Sequence, residues 1–201
     1  MTGEIEKLLA QANTRNAEAS SATSASRVFQ TETEAENYLQ TSKEKLCDIE
    51  RWNDGSEITS FSLYDADGAA QPTKRAAVGD FIKTALPASG KDDWVKITEI
   101  FDAPEEFVLT VQPSRNPTDK THEAATSHFF IHNSTNNFCL QKKNAKISFY
   151  VIGLNEKTNT AETNSLVETV RNLAAANIGY FFGIQKAQWQ TFSDNFLEIK
   201  I

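Results

Sequence analysis

Apolar residues recur along the chain with two periods, one typical of helices and one typical of strands. From Glu32 to Trp52 they return every three or four residues, which predicts a helical segment with one buried side. Thr31 and Glu34 form a capping-box pattern at its start. The polar pair Thr41-Ser42 predicts a break into two helices, and a short strand is expected over residues 27–30, before this helix pair.

The middle of the chain alternates between apolar and polar residues, as half-buried strands do. The alternation is clearest from Ile58 to Tyr64, which leads into a turn over Asp65 to Gly68. Every proline lies between such runs or at the end of one, where a missing N–H does little harm. Further strands are predicted over residues 79–86, 93–101, 106–112, 127–132, 137–142 and 147–153.

Helical spacing returns near the C-terminus, in one apolar stripe over residues 166–174 and another over 189–199. Gly179 and Gly183 separate the stripes and predict two helices. Strands joined by short loops pair antiparallel, and helices at the ends of a chain pack on one face of such a sheet. We therefore expect an α+β fold: a curved antiparallel sheet of six or seven strands, with an N-terminal helix pair and C-terminal helices on one face.

The first 26 residues are rich in Ala, Ser and Thr and contain neither an aromatic residue nor a proline. This composition predicts a flexible or weakly helical N-terminal segment over residues 1–26. Within it, Glu4 to Ala12 has the spacing of a short helix, whose few apolar side chains could dock on a partner or on a second copy of the chain in a homodimer. Residues 27–201 are expected to form a single α+β domain.

Charge and composition narrow the function classes. The 201 residues carry a formal charge of −7, so attraction to nucleic-acid phosphates is not expected. The longest uninterrupted apolar stretch, Ile178 to Ile184, is too short to cross a bilayer. The N-terminus has no secretory pattern, which makes the cytoplasm the expected compartment. Cys47 and Cys139, the only cysteines, are expected as buried, reduced thiols.

The three histidines lie within eleven residues, at His122, His128 and His132. On one strand His128 and His132 would be about 13 Å apart, too far to share a metal ion. The turn at residues 65–68 begins like a calcium loop, but position twelve of that loop is Ala76 where a Glu is needed. The glycines form no phosphate-binding pattern. Neither a metal site nor a cofactor is therefore expected.

Three stretches of the chain resemble the START-like, or polyketide-cyclase-like, helix-grip superfamily. They are Val28-Phe29 as a first strand, Leu46 to Trp52 at the end of the helix pair, and Phe61 to Tyr64 with its turn. The superfamily commonly has a Trp at the position of Trp52. The resemblance covers residues 27–200. It implies a curved sheet that grips a long C-terminal helix around a cavity for a small apolar ligand, with no universal catalytic residue.

Three functions remain open from the sequence. The first is non-catalytic binding of a small apolar ligand between the sheet and the C-terminal helices. The second is a protein-interaction module with a solid core and an acidic surface. The third is an enzyme that uses His128 or Glu156 as an acid or base. For the first, aromatic and apolar walls are typical, and the candidate wall residues are Trp94, Phe149, Tyr150, Trp189 and His128.

Overall fold

The computed structural model describes residues 3–14, 20–56, 59–85, 92–119, 133–156 and 178–199, with side chains from residue 186 onward in the last range. The described helices are α1 (Glu4–Ala12), α2 (Glu32–Cys47), a 3-10 helix (Ile49–Gly55) and α3 (Ile178–Phe196). The described strands are β1 (Ser21–Val28), β2 (Ser60–Tyr64), β3 (Phe81–Ala85), β4 (Asp92–Asp102), β5 (Glu106–Pro113), β6 (Thr135–Lys143) and β7 (Lys146–Leu154).

The seven strands form one curved antiparallel sheet in the order β1-β7-β6-β5-β4-β3-β2. From β2 to β7, each strand lies beside its neighbours in sequence. β1 instead pairs with the last strand, in a register that runs from Ser21 opposite Gly153 to Val28 opposite Lys146. β1 and β2 are therefore the two edges of the sheet. The α+β class and the antiparallel sheet predicted from the sequence are confirmed.

Both faces of the sheet are covered by helices. We call the face covered by α2, the 3-10 helix and α3 the inner face, and its core takes buried side chains from every strand. We call the opposite face the outer face, and α1 packs against it. The buried group beneath α1 is smaller and consists of Ile5, Ala12, Val108, Cys139, Ile152 and Leu154.

α2 begins at the predicted cap but does not break where the sequence suggests. The Thr31 side chain accepts a hydrogen bond from the backbone N–H of Glu34 at 3.1 Å, as an N-cap should. The helix continues through Thr41, because the Thr41 hydroxyl donates to the backbone carbonyls of Asn37 and Tyr38 and needs no other partner. The predicted break at Thr41-Ser42 is therefore wrong, and α2 ends at Cys47.

The 3-10 helix that follows joins α2 to the edge strand β2. The Trp52 side chain is 2% exposed, and its indole N–H donates to the backbone carbonyl of Leu46 at 3.0 Å. The Asn53 amide both donates to and accepts from the backbone of Phe61, at 3.0 and 2.8 Å. These bonds fix the large Trp52 ring against the inner face.

The C-terminal helix runs without interruption through both glycines that were expected to divide it. α3 includes Gly179 and Gly183 inside its range Ile178–Phe196. A glycine costs a helix only about 1 kcal/mol relative to alanine, so two of them weaken a helix without ending it. The predicted stripe over residues 166–174 lies outside the described residues. In the described part of the chain, no helix combines the length and apolarity needed to cross a membrane.

Two side-chain hydrogen bonds hold α3 across the inner face. Gln190 donates through Nε2 to the backbone carbonyl of Ser24 on β1 at 2.9 Å. Asn195 donates through Nδ2 to the carbonyl of Gly55, at the end of the 3-10 helix, at 3.1 Å. The C-terminal part of α3 is thus fixed between the β1 edge of the sheet and the 3-10 helix, with its apolar side against the strands.

The N-terminal segment contributes to both faces of the fold. β1 begins at Ser21, so the predicted boundary between residues 26 and 27 falls inside a strand. Pairing with β7 supplies backbone hydrogen bonds whatever the side chains, which explains how a sequence rich in Ser, Thr and Ala forms this strand. The predicted helix Glu4–Ala12 is present as α1. Its Ile5 side chain is fully buried against the sheet of the same chain.

Candidate functional site

A cluster of aromatic side chains occupies the inner face beneath α3. The Phe138 ring on β6 lies 4.5 Å from the Trp52 ring and 5.3 Å from the Trp189 ring, between centroids. Phe149 on β7 stacks on Phe196 of α3 at 4.5 Å. We call this group the aromatic cluster, and its members are Trp52, Phe61, Phe138, Phe149, Trp189, Phe192 and Phe196.

Trp189 is the member of this cluster with an unmet hydrogen-bonding need. Its ring is only partly buried and lies 6.5 Å from Phe61 and 5.7 Å from Phe192. Its indole Nε1 is buried, yet it has no hydrogen-bond partner within the described structure. A buried N–H left unpaired costs about 1–3 kcal/mol, and a buried Trp normally finds a partner. The Trp52 indole, by contrast, is satisfied by Leu46.

A second unpaired polar group lies in the sheet below α3. Thr23 on β1 is 6% exposed, and its hydroxyl has no partner among the residues described. Thr23 and Phe138 both pair with Val151 of β7, from its two sides. They therefore belong to one row across the inner face. This row therefore contains both the unpaired Thr23 hydroxyl and Phe138, whose ring contacts Trp189.

The next row of the inner face carries a buried carboxyl. Gly153 pairs with Ser21 on one side and with Asn136 on the other. Glu156 is 3% exposed, and its carboxyl lies so close above Gly153 that any Cβ at that position would overlap it. Asn155 adopts the left-handed conformation at φ 55°, which turns the chain back toward Gly153. The rows are about 7 Å apart along each strand.

The surroundings of Glu156 favour its neutral form. Burial raises the pKa of the Glu156 carboxyl above its ordinary value, and the hydrogen bond from Ser21 opposes this only in part. With the Asn136 amide oriented so that its nitrogen faces the carboxyl, that nitrogen donates to Oε1 at 3.2 Å. No Lys or Arg of the described ranges is paired with Glu156. The inner face thus has a polar end, formed by Glu156 and its partners, beside the aromatic cluster.

The structure divides the wall residues predicted from the sequence between the two faces. Phe149 and Trp189 lie together on the inner face, in the aromatic cluster. Trp94 directly precedes Val95, an inner-face residue, so Trp94 lies on the outer face of β4. There its ring lies 4.9 Å from the ring of Tyr64. Tyr150 packs against the group beneath α1, also on the outer face. His128 lies outside the described residues.

Thr23 and Phe138 are site residues that sequence reasoning missed. Thr23 falls in the segment expected to be a tail, and in β1 the buried Thr23 and Ala25 alternate with exposed neighbours. Phe138 lies in a predicted strand, but nothing in the sequence distinguishes it as a site residue from the other aromatic residues of the core. Glu156 is a candidate acid or base from the sequence, but its position above Gly153 was not predicted. The signal for all three is the cross-strand register, which a single sequence does not carry.

The two cysteines are free thiols, as predicted, and lie on opposite faces of the sheet. Cys47 belongs to the inner-face core, and Cys139 to the group beneath α1. Burial raises the pKa of both thiols, far more strongly for Cys139. With the sheet between them they cannot form a disulfide with each other.

Comparison with known proteins shows the fold and no more. No protein-family model and no curated protein matches the chain. A hypothetical protein of Helicobacter pylori is similar in structure with a TM-score of 0.54 and 10% identity, over 89% of this chain and 84% of that one. Because the identity is so low, this likeness shows the fold alone.

Two further solved structures are more distant. Ginseng major latex-like protein 151 from Panax ginseng matches with a TM-score of 0.36 and 10% identity, over 78% of this chain and 97% of that one. The extracellular domain of PknH from Mycobacterium tuberculosis matches with a TM-score of 0.39 and 9% identity, over 79% of this chain. The chain spans only 58% of the length of that domain.

Proposed function

We propose that this chain binds a small apolar molecule on the inner face of its sheet, against α3, without a catalytic step. The observation that carries the proposal is Trp189, a partly buried indole at the aromatic cluster whose buried N–H has no partner among the described residues. Small-molecule sites are typically lined by aromatic and apolar side chains with a few placed polar groups. The aromatic cluster, Thr23 and Glu156 supply both kinds of lining.

Burial of apolar surface supplies the affinity in this proposal. Roughly 100 Å² of ligand surface removed from water contributes about 2.5 kcal/mol before the cost of association. Aromatic contacts add about 0.5–1.5 kcal/mol for each well-placed ring. The wall consists of Trp189, Phe149 and Phe138. His128 stays a prediction. Trp94 and Tyr150 lie on the outer face, and Trp94 serves as the control.

The experiment uses two matched tryptophan variants of the full chain and the neutral fluorescent probe prodan. We expect saturable, blue-shifted prodan emission with the natural chain. Trp189→Phe removes an indole from the inner face and should change the prodan affinity about two- to tenfold, the range expected for one aromatic contact. Trp94→Phe removes an indole from the outer face and should leave the affinity within about twofold.

Two results would contradict the proposed function. One is prodan emission that never saturates, as expected of a surface with no defined site. The other is an equal effect of both substitutions, which would place the probe elsewhere or reflect a general loss of stability. Thermal unfolding of the natural chain and both variants, without probe, separates a change in affinity from a change in stability.

A further inference from the structure

Two unpaired polar groups and a buried carboxyl lie near one end of the inner face. The Trp189 N–H and the Thr23 hydroxyl are buried and unpaired within the described ranges. Glu156 is a buried carboxyl whose described partners are Ser21 and Asn136. The strand register places Thr23 one row from Gly153, over which the Glu156 carboxyl lies. The Trp189 ring contacts Phe138, which is in the same row as Thr23. Buried polar groups are nearly always paired, so their concentration at this end of the face needs an explanation.

We infer that the molecule bound on the inner face carries a hydroxyl group, which meets the Trp189 N–H and the Thr23 hydroxyl beside the Glu156 carboxyl. This inference rests on the proposed function and adds the chemical class of the ligand, an aromatic or alicyclic alcohol. The ligand oxygen accepts from the indole N–H, and its proton is donated to the Thr23 hydroxyl or to the Glu156 carboxyl. A hydroxyl is the simplest group that both accepts and donates.

Other polar groups fit these side chains less well. A protonated amine has donors only and leaves the Trp189 N–H without an acceptor. A carboxylate meets the carboxyl of Glu156 and finds no cation, because the two rows carry no Lys or Arg among the described residues. A pure hydrocarbon leaves the Trp189 N–H and the Thr23 hydroxyl unpaired, at a cost in free energy. A hydroxyl can also take the place of a water molecule bound at these groups.

The test compares three naphthalene derivatives with the same apolar body: 2-naphthaleneethanol, 2-propylnaphthalene and 2-(2-naphthyl)ethylamine. The readout is the set of indole N–H resonances in proton–nitrogen NMR of the full chain. The Trp189 resonance is assigned by its loss in Trp189→Phe. Trp52 is the internal control, because its N–H already donates to Leu46. We expect the alcohol to move the Trp189 resonance downfield and to leave the Trp52 resonance in place.

A near-isosteric variant, Thr23→Val, isolates the hydroxyl contact. It should weaken binding of the alcohol about two- to tenfold, as for one neutral hydrogen bond, and change the hydrocarbon affinity by less than about twofold. Thr23→Val keeps a β-branched residue in β1, and the NMR spectrum reports whether it folds. The Trp189 shift in the natural chain is a second measurement that needs no variant at Thr23.

The outcomes separate this inference from the proposed function. If the alcohol and the hydrocarbon both bind, but Thr23→Val affects them alike and Trp189 does not respond selectively to the alcohol, the hydroxyl inference fails and ligand binding stands. A larger Trp189 shift and a stronger dependence on Thr23 with the amine would also overturn it. If none of the three probes binds the natural chain, the proposed function fails together with the inference.

Discussion

At the scale of single residues, Glu156 is the most unusual side chain of the inner face. It is a carboxyl with 3% exposure, held over a glycine and next to two uncharged polar side chains. A Cβ at position 153 would overlap this carboxyl, so a larger residue there would require the Glu156 side chain to shift. A buried acid without a cationic partner favours its neutral form. The protonation of Glu156, at the polar end of the site, therefore affects the stability of the fold.

The raised pKa of Glu156 makes stability depend on pH with a defined sign. The folded chain retains the Glu156 proton at pH values where the unfolded chain has already lost it. The resulting stabilisation is fully present below the ordinary pKa of 4.5 and is lost as the pH rises through the folded value. Glu156→Gln removes this titration with little change in shape. We expect the unfolding free energy of Glu156→Gln, relative to the natural chain, to increase between pH 4.5 and neutrality.

Chemical denaturation at several pH values measures this difference, and Glu44→Gln, at an exposed position of α2, is the matched control. The control should differ from the natural chain by a much smaller and flatter amount. A relative stability of Glu156→Gln that falls as the pH rises would show that the Glu156 pKa is lowered in the fold, and would refute the account of this site.

At the scale of elements, α1 is attached to the sheet by its N-terminal end and its apolar side. The Glu106 carboxylate on β5 accepts from the backbone N–H of Glu4 at 2.8 Å, while the Gln141 amide donates to its other oxygen at 3.0 Å. A carboxylate at a helix N-terminus satisfies an unpaired N–H and interacts favourably with the helix dipole. Ile5 supplies the apolar contact. Glu106 therefore caps a helix from a strand distant in sequence.

Cys139 reports directly whether α1 stays attached, because it is fully buried in the group beneath that helix. Glu106→Ala removes a cap whose loss typically costs about 1 kcal/mol, so the detached state should become about fivefold more populated. We expect labelling of Cys139 by a thiol reagent to accelerate about fivefold under native conditions. Cys47, in the inner-face core, should keep its labelling rate.

Peptide mass spectrometry after quenched labelling distinguishes the two cysteines in one sample. Equal acceleration at both thiols would mean that Glu106→Ala destabilises the whole fold rather than the attachment of α1. Unchanged labelling at both would mean that the cap contributes nothing measurable. Either result would contradict the capping role of Glu106.

Among the described elements, periodicity in the sequence was sufficient for most and failed at three for identifiable reasons. The strand predicted over residues 27–30 overlaps β1 only at Arg27 and Val28. The rest of β1 was missed because its buried positions, Thr23 and Ala25, are too small to stand out as a hydrophobic pattern. The break expected at Thr41-Ser42 does not occur because local backbone acceptors satisfy the Thr41 hydroxyl. Gly179 and Gly183 are weak helix formers, and a weak preference did not end α3.

The site was only partly predictable, because both faces of the central strands are covered. Phe149, Tyr150, Val151 and Ile152 are consecutive and apolar or aromatic, so composition does not distinguish the inner from the outer face. On β4, Trp94 and Val95 are likewise consecutive and both buried, so the sequence does not show which of them lies on the inner face. Only the packing of α1 on one side and α3 on the other assigns each side chain to a face.

At the scale of the whole molecule, the helices divide the sheet into two chemically different surfaces. The outer face, where α1 packs, carries a small apolar group under that helix. The inner face combines a large aromatic cluster with buried polar atoms that have no partner in the described part of the chain. Each unpaired buried polar atom in a native structure needs an explanation, and a bound molecule is one such explanation. The inner face is therefore where the proposed ligand site lies.

The most direct test of that claim is native mass spectrometry of the full chain purified from cells, followed by denaturing extraction and identification of any released molecule. We expect a one-to-one adduct that is lost on denaturation and released as a small apolar compound with a hydroxyl group. A clean ligand-free mass, together with no thermal stabilisation by any member of a lipid and metabolite panel, would contradict it. The inner face would then be a solid core, and function would have to lie on the surface.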